Sequence, residues 1–208
     1  VPGSDFASYR WGNTVDPVLP GLMDRPYAAR ELFQWGSAPS ANLLNAWDRR
    51  FHEWSMDPQA IAPVARLLGA GDLVVRNDLQ YERYRLARPR QMAELVDAAP
   101  GLGEPVGFGG TEPNVAGPEQ TLLDEIELAT PPTARHPHAV EVAPVQDPLP
   151  ILRTRTTEHP LLVAGDGEGI VDAASIGMLG PNQAVFYSGW FADDPAGFER
   201  VYRSGDER

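Results

Sequence analysis

The stretch AGDGEGI, residues 164–170, follows an apolar run and opens a helical pattern, so its backbone N–H groups could hold a phosphate. A dinucleotide loop needs a third glycine where Ile170 stands, and Asp166 and Glu168 would repel a pyrophosphate, so the segment reads as a tight turn. HEWSM, from His52, begins like a zincin helix, yet Met56 occupies the second ligand position. His136 and His138 flank Pro137 in a polar loop, with no third ligand close by. AASIG, 173–177, has the outline of a nucleophile elbow, but Ser175 falls inside a helical pattern and not at a strand-to-helix turn. Asp193 and Asp194 are explained by capping and the helix dipole. A paired-carboxylate glycosidase site stays open, because its two members can lie far apart in sequence. No catalytic residue, metal ligand or cofactor site is assigned from these motifs.

RNDLQYERYRLARPR is more specific. It places Arg76, Arg83, Arg85, Arg88 and Arg90 beside Tyr81 and Tyr84 in an otherwise acidic chain. Guanidinium groups recognise phosphate and carboxylate and stack on aromatic rings. Internal pairing with Asp78, Glu82 and Glu94 accounts for about half of this charge. The remainder makes Arg83, Arg85, Arg88 and Arg90, assisted by Tyr81 and Tyr84, an expected anion- or membrane-facing segment.

The elements that must position these residues follow from pattern and punctuation. Residues 1–25 are a Pro/Gly-punctuated, aromatic-bearing loop, and Pro26 opens an expected helix to about Trp35. Ser40 can cap a helix whose Leu43, Leu44, Trp47, Phe51 and Trp54 recur on one face. A further helix is expected after Asp57, ending at Gly69 despite Pro63, followed by a buried strand over 72–77. RPRQMAELVDAAPG predicts a helix, and the Gly/Pro-rich residues 101–120 read as loop or linker. AVEVAPV alternates like a half-exposed strand. PLLVAG, GIVDAASIGML and QAVFYSG together predict a β-α-β unit with a right-handed parallel crossover. DPAGFERVYRSG offers a last helix. The expected fold is α/β with a mixed sheet: a helical and strand subregion over 1–100, a linker over 101–120 and an α/β subregion over 121–208.

Composition narrows the function classes. The chain has 208 residues with 42% hydrophobic and 22% charged content, ordinary for a globular protein with a sizeable core. Its 17 basic residues, every one Arg, face 29 acidic ones for a net charge of -12. A nucleic-acid backbone would be repelled by that field. The absence of Cys excludes disulfides, thiolate catalysis and zinc–thiolate sites, and suits an oxidising exterior. Apolar runs fall far short of the ~20 residues that span a bilayer. The chain opens on Val1, so it is expected to be a piece of something longer.

GSDFASYRWGNTVDPVLPGLMDRPY, residues 3–27, and ARLLGAGDLVVRNDLQYERYR, from Ala65, together resemble the extracytoplasmic part of the actinobacterial α-(1→3)-arabinofuranosyltransferases. These are large membrane glycosyltransferases of the GT-C class. The resemblance continues more loosely through PLLVAGDGEGIVDAASIGML and AVFYSG, and so covers most of the chain. It implies a parent enzyme that transfers arabinofuranose from a decaprenyl-phosphate donor to arabinan of the cell envelope. It also implies that the membrane helices and a catalytic Asp lie upstream of Val1, with carbohydrate-binding modules downstream of Arg208. The chain itself would then be an extracytoplasmic accessory that is not catalytic alone, with arabinan glycan and, through the parent, the membrane surface as partners.

Within that frame, aromatic faces separated by Asn and Asp suit a sugar, through stacking and hydroxyl hydrogen bonds, and Trp11, Asn13, Asp16 and Trp35 are the candidates. Taken singly, each is better explained by a plainer reading, in which the tryptophans plug the core and Asn13 and Asp16 make turns. Two other functions compete with acceptor positioning: a ligand-free structural spacer, and a free-standing hydrolase of envelope polysaccharide.

Overall fold

The computed structural model describes residues 8–14, 18–30, 37–81, 86–112 and 125–191. The architecture is mixed α/β. A short hairpin, β1 (Ser8–Tyr9) and β2 (Gly12–Asn13), precedes a single helical turn, α1 (Leu19–Leu22). Two longer helices follow, α2 (Ala38–His52) and α3 (Pro58–Leu68), then strand β3 (Asp72–Arg76) and helix α4 (Pro89–Asp97). The remainder comprises β4 (Val106–Thr111), α5 (Glu125–Ala129), β5 (His138–Pro144), β6 (Thr156–Val163), α6 (Asp166–Ser175) and β7 (Gln183–Tyr187). A 3-10 turn, Ser188–Phe191, closes the described chain.

Strands β3, β5 and β4 form an antiparallel sheet with β5 in the middle. Strands β6 and β7 pair in parallel around α6, as the β-α-β pattern predicts. Antiparallel and parallel pairing therefore fall in separate sheets among the described residues.

Helix α2 forms because Leu43, Trp47 and Phe51 repeat every four residues and are all buried. Each such side chain contributes about 1.5–3 kcal/mol on leaving water. The cap is Ser37 and not Ser40: its hydroxyl accepts the Ser40 N–H at 3.4 Å, and Pro39 sits in the first turn, where its missing N–H costs nothing. Trp54 leaves the stripe, at φ 51 beyond the helix end, and is exposed. Helix α3 has the predicted ends, with Asp57 accepting the Gln59 N–H at 2.9 Å and Gly69 left-handed at φ 73. At the start of α4, the Gln91 side chain turns back to accept the Arg88 backbone N–H at 2.8 Å.

Two further expectations are corrected. No helix forms over 26–30 of the segment opened by Pro26, and 31–36 lie outside the described residues. Arg25, in the capping position, has no acceptor to offer, and Pro26, Tyr27 and Ala28 are exposed with no apolar stripe to bury. The second concerns 101–120, where 106–111 form β4 and pair with β5. Its glycines serve the strand. A Cβ on Gly107 would come within 2.1 Å of the His138 ring, which lies across the strand and bonds the Gly109 carbonyl at 2.8 Å. Gly109, at φ 79, lies within the register shift between Phe108 and Thr111. The last predicted helix, from Asp194, and the Asp193–Asp194 pair lie outside the described residues.

One hydrophobic cluster joins α2, α3, β3, α4, β5, β6 and α6, with Phe51, Ile61, Val75, Met92, Ala143 and Val171 at its centre. It draws on both sides of segment 101–120. Helix α6 meets α2 backbone to backbone at Gly167, where a Cβ would stand 2.4 Å from the Asn42 carbonyl oxygen and 2.7 Å from the Leu43 Cα. Gly167→Ala should therefore force the two helices apart and cost about 1–3 kcal/mol, the usual penalty of overpacking. Gly110→Ala, with open space around the added methyl, should stay within about 0.5 kcal/mol. Urea midpoints of the two variants check this; equal midpoints would show that the helices do not meet at Gly167.

Candidate functional site

The opening hairpin has too little apolar surface to stand alone, and docks on the segment that leaves β3. Arg10 N donates to the Asp78 carbonyl at 2.8 Å, Gln80 N to the Ser8 carbonyl at 2.9 Å, and Tyr9 bridges Leu79. Tyr9, Leu79, Tyr81 and Leu86 form a small buried cluster beneath it.

On this base stands a ring–ring–cation assembly. Tyr9 and Trp11 stack with centroids 4.6 Å apart and planes 5° from parallel, and the Arg76 guanidinium lies 4.4 Å from the Tyr9 ring centre. The buried Asp78 carboxylate fixes all of it. Arg76 donates to it twice, at 2.9 and 2.8 Å, and the Trp11 indole N–H donates to it at 2.8 Å. Burial lowers the Arg76 pKa, but Asp78 outweighs that and holds it above its ordinary value. Trp11 thus has one face on Tyr9 and its polar edge satisfied, while remaining 60% exposed. Its other face is open to solvent. Arg10 flanks the assembly, 4.9 Å over the Tyr81 ring and 3.3 Å from Glu112, whose carboxyl burial pushes above its usual range against the pull of Arg10.

Of the sugar-surface candidates, Trp11 is presented in this way and is no core plug. Asn13 is exposed on β2 opposite Ser8. Asp16 and Trp35 lie outside the described residues, as do Arg83, Tyr84 and Arg85. The anion-facing expectation is corrected for two residues. Tyr81 is 4% exposed within the small cluster. Arg90 is 8% exposed and donates to the Ala134 and Pro131 carbonyls at 3.1 and 2.7 Å, so its charge is turned inward. Arg88 is half-buried at the start of α4. Asp78, read from sequence only as a pairing partner for arginine, is the organising residue. Its spacing of two from Arg76 on a strand end was the available signal.

The other motifs have structural settings. His52 sits 3.2 Å from the Asp48 carboxylate, one helical turn back. Ser175 Oγ donates to the Asp172 carbonyl at 2.8 Å at the end of α6. In AGDGEGI, Glu168 accepts from Arg49 and, at 2.7 Å, from Arg50, while Asp172 accepts from Arg50 at 2.6 Å, which ties α6 to α2. Among the described residues no group of three metal-ligating side chains occurs, and no helix is long and apolar enough to cross a membrane.

Comparison with known proteins supplies the class, a GT-C family of glycosyltransferases. It belongs to the family described as alpha-(1->3)-arabinofuranosyltransferase, N-terminal GT-C domain, whose model matches residues 1–197. It is 35% identical over 122 residues to the alpha-(1->3)-arabinofuranosyltransferase of Mycolicibacterium smegmatis, covering 56% of this chain and 9% of that protein. It is 31% identical over 109 residues to the one of Mycobacterium tuberculosis, covering 52% and 8%. The chain thus spans under a tenth of these relatives. The cryo-EM structure of arabinofuranosyltransferase AftD from mycobacteria shares the fold, with TM-score 0.61 and 23% identity over 89% of this chain and 15% of that one. A mutant of the same enzyme gives TM-score 0.58 and 26% identity over 83% and 13%.

Two outcomes follow from the site. Asp78→Asn removes the charge opposite Arg76 and should cost about 3 kcal/mol, because a buried guanidinium is left uncompensated. Denaturation of the variant checks it; unchanged stability would mean that Asp78 does not organise the hairpin. The second concerns Glu112. Its folded-state pKa lies above the usual 4.5, so its contribution to stability is present below that value and is lost as pH rises through the folded pKa. Glu112→Gln should therefore be more stable relative to the parent chain at about pH 7 than at about pH 4. Urea midpoints at the two pH values decide the sign, and the opposite order would place Glu112 in a net favourable ion pair.

Proposed function

We propose that this chain is an accessory extracytoplasmic part of a membrane arabinofuranosyltransferase, and that it positions the arabinan acceptor during envelope glycan synthesis. The observation that carries this reading is Trp11: an indole locked on one face by Tyr9 and at its N–H by Asp78, with the other face open. A furanose ring offers C–H groups to such a face, and a side chain fixed in advance loses little entropy when it binds. Asn13, exposed on β2 close in sequence to Trp11, supplies an amide for hydroxyl groups. The membrane surface is a partner through the rest of the parent protein, and transfer chemistry resides in that remainder.

The test is an NMR titration of the chain with a synthetic linear arabinofuranoside oligomer, following the Trp11 indole N–H. A saturable shift of millimolar affinity, about −4 kcal/mol, is expected there and at the neighbouring Gly12 and Asn13 backbone amides, and Trp11→Ala should abolish the amide shifts without unfolding the chain. Turnover of decaprenyl-phosphoryl arabinose or of an aryl arabinofuranoside by the chain would overturn the accessory role. A Trp11 indole indifferent to glycan would leave a structural spacer.

A further inference from the structure

A second polar surface lies on other elements. Where α6 crosses α2, an open cleft of about 270 Å³ is lined by Asn42, Asn45 and Arg49 from α2 and by Gly165, Asp166 and Glu168 from the start of α6. Its base is the close contact at Gly167, where the lack of a side chain lets the two backbones meet.

The polar groups of this cleft are unevenly committed. Both Glu168 oxygens accept from arginine, one from Arg49 and the other from Arg50. Asn45 is oriented by Arg30, whose Nε donates to its Oδ1 at 2.9 Å, which leaves the amide N–H groups to serve as donors. Asn42 and Asp166 are exposed at the rim, one an amide and the other a carboxylate acceptor. Two aromatic residues lie beyond the lining, toward the Asn42 end. The Tyr187 hydroxyl donates to the Pro39 carbonyl at 3.3 Å, one turn before Asn42, and the exposed Trp190 packs edge-on to Tyr187 at 6.1 Å.

This chemistry selects among ligand classes. A free phosphate or carboxylate meets the Asp166 charge, and the nearest cations are already engaged by Glu168. A metal ion finds both Glu168 oxygens already paired with arginine, which leaves Asp166 as the one carboxylate of the lining without such a pair. Amide donors, an amide acceptor and one carboxylate along a single rim instead match vicinal hydroxyls, each of which donates and accepts. The volume is just under the ~300–1,000 Å³ of small-molecule sites, which suits a sugar unit and not a protein segment.

We infer that the α2–α6 cleft is a second subsite, which takes a sugar unit of a neutral glycan through Asn42, Asn45 and Asp166. The identity of that sugar as a pentofuranose rests on the proposed function. The cleft uses none of the residues of the Trp11 stack. A glycan held at both places would be gripped at two points, so its direction across the domain would be defined.

The same arabinofuranoside titration, read at other nuclei, tests it. The side-chain amide signals of Asn42 and Asn45 and the backbone amides of Gly165 and Gly167 should move together and saturate. Asn42→Ala and Asn45→Ala, at exposed helical positions where Ala is well tolerated, should each weaken that response about five- to tenfold, the effect of roughly one hydrogen bond. Asp166→Asn, which keeps an acceptor oxygen, should weaken it less than either. The Trp11 indole response should persist in all three. Sugar shifts confined to the Trp11 indole would overturn the cleft and leave the acceptor reading intact. Shifts in the cleft with an indifferent Trp11 would remove the Trp11 site and leave the cleft. Stronger cleft shifts with inorganic phosphate or calcium chloride than with the sugar, or responses unchanged in the Asn variants, would overturn the inference.

Discussion

The structure turns on a constraint set by its charge: an acidic chain buries carboxylates, and each must meet a guanidinium. Asp48, Asp78 and Glu141 are 3%, 4% and 2% exposed. Asp48 is approached by Arg30 and His52, Asp78 by Arg76, and Glu141 by Arg135, which also bonds Asp97 at the end of α4 at 2.8 and 2.9 Å. Pairs of this kind add little net stability over an apolar core, while breaking one is costly. They therefore act chiefly on register. Glu141 sits on the middle strand β5, so its pairing with Arg135 also fixes that sheet against α4. A chain whose basic residues are all Arg suits this work, since the planar fork can serve two acceptors at once.

The same constraint shapes the Trp11 surface and the α2–α6 cleft. Asp78 satisfies Arg76 and, with the same carboxylate, the indole edge of Trp11. The ring is exposed yet fixed because its polar requirement is met beneath the surface. Across the molecule, Glu168 and Asp172 close α6 on the arginines of α2, and the cleft between the two helices is the space left above the Gly167 contact. At both places the ion pairs that hold the fold also shape the exposed surface.

Much of this was legible in the sequence wherever local chemistry is sufficient. Asp57 and Gly69 mark the ends of α3, the Leu43–Trp47–Phe51 stripe marks α2, and the apolar runs around GIVDAASIGML mark the parallel β-α-β unit. Failures occurred where a residue serves a distant partner. Gly107 looks like linker because its role, making room for His138, is invisible without the strand pairing. Arg90 looks like surface charge because its acceptors are carbonyls more than forty positions away in sequence, at Pro131 and Ala134. Trp11 could be read as core or as surface; only the pairing of its indole with Asp78, 67 residues on, resolves the two. Asn42 and Asn45 carried no motif at all, since a cleft between two helices has no signature in either one.

The tie between α2 and α6 also sets a clock. Arg50 finds its carboxylates 118 and 122 residues later in the chain. At a synthesis rate of ~5–20 residues per second, α2 waits roughly 6–24 s after it is made before Glu168 is joined to the growing chain. For that interval Leu43, Trp47 and Phe51 have only the elements nearer in sequence to cover them. The rest of the cluster that buries this face, from β5, β6 and α6, is made only after that interval has begun. The order in which these partners leave the ribosome is a property of the sequence that no equilibrium measurement on the finished chain would register.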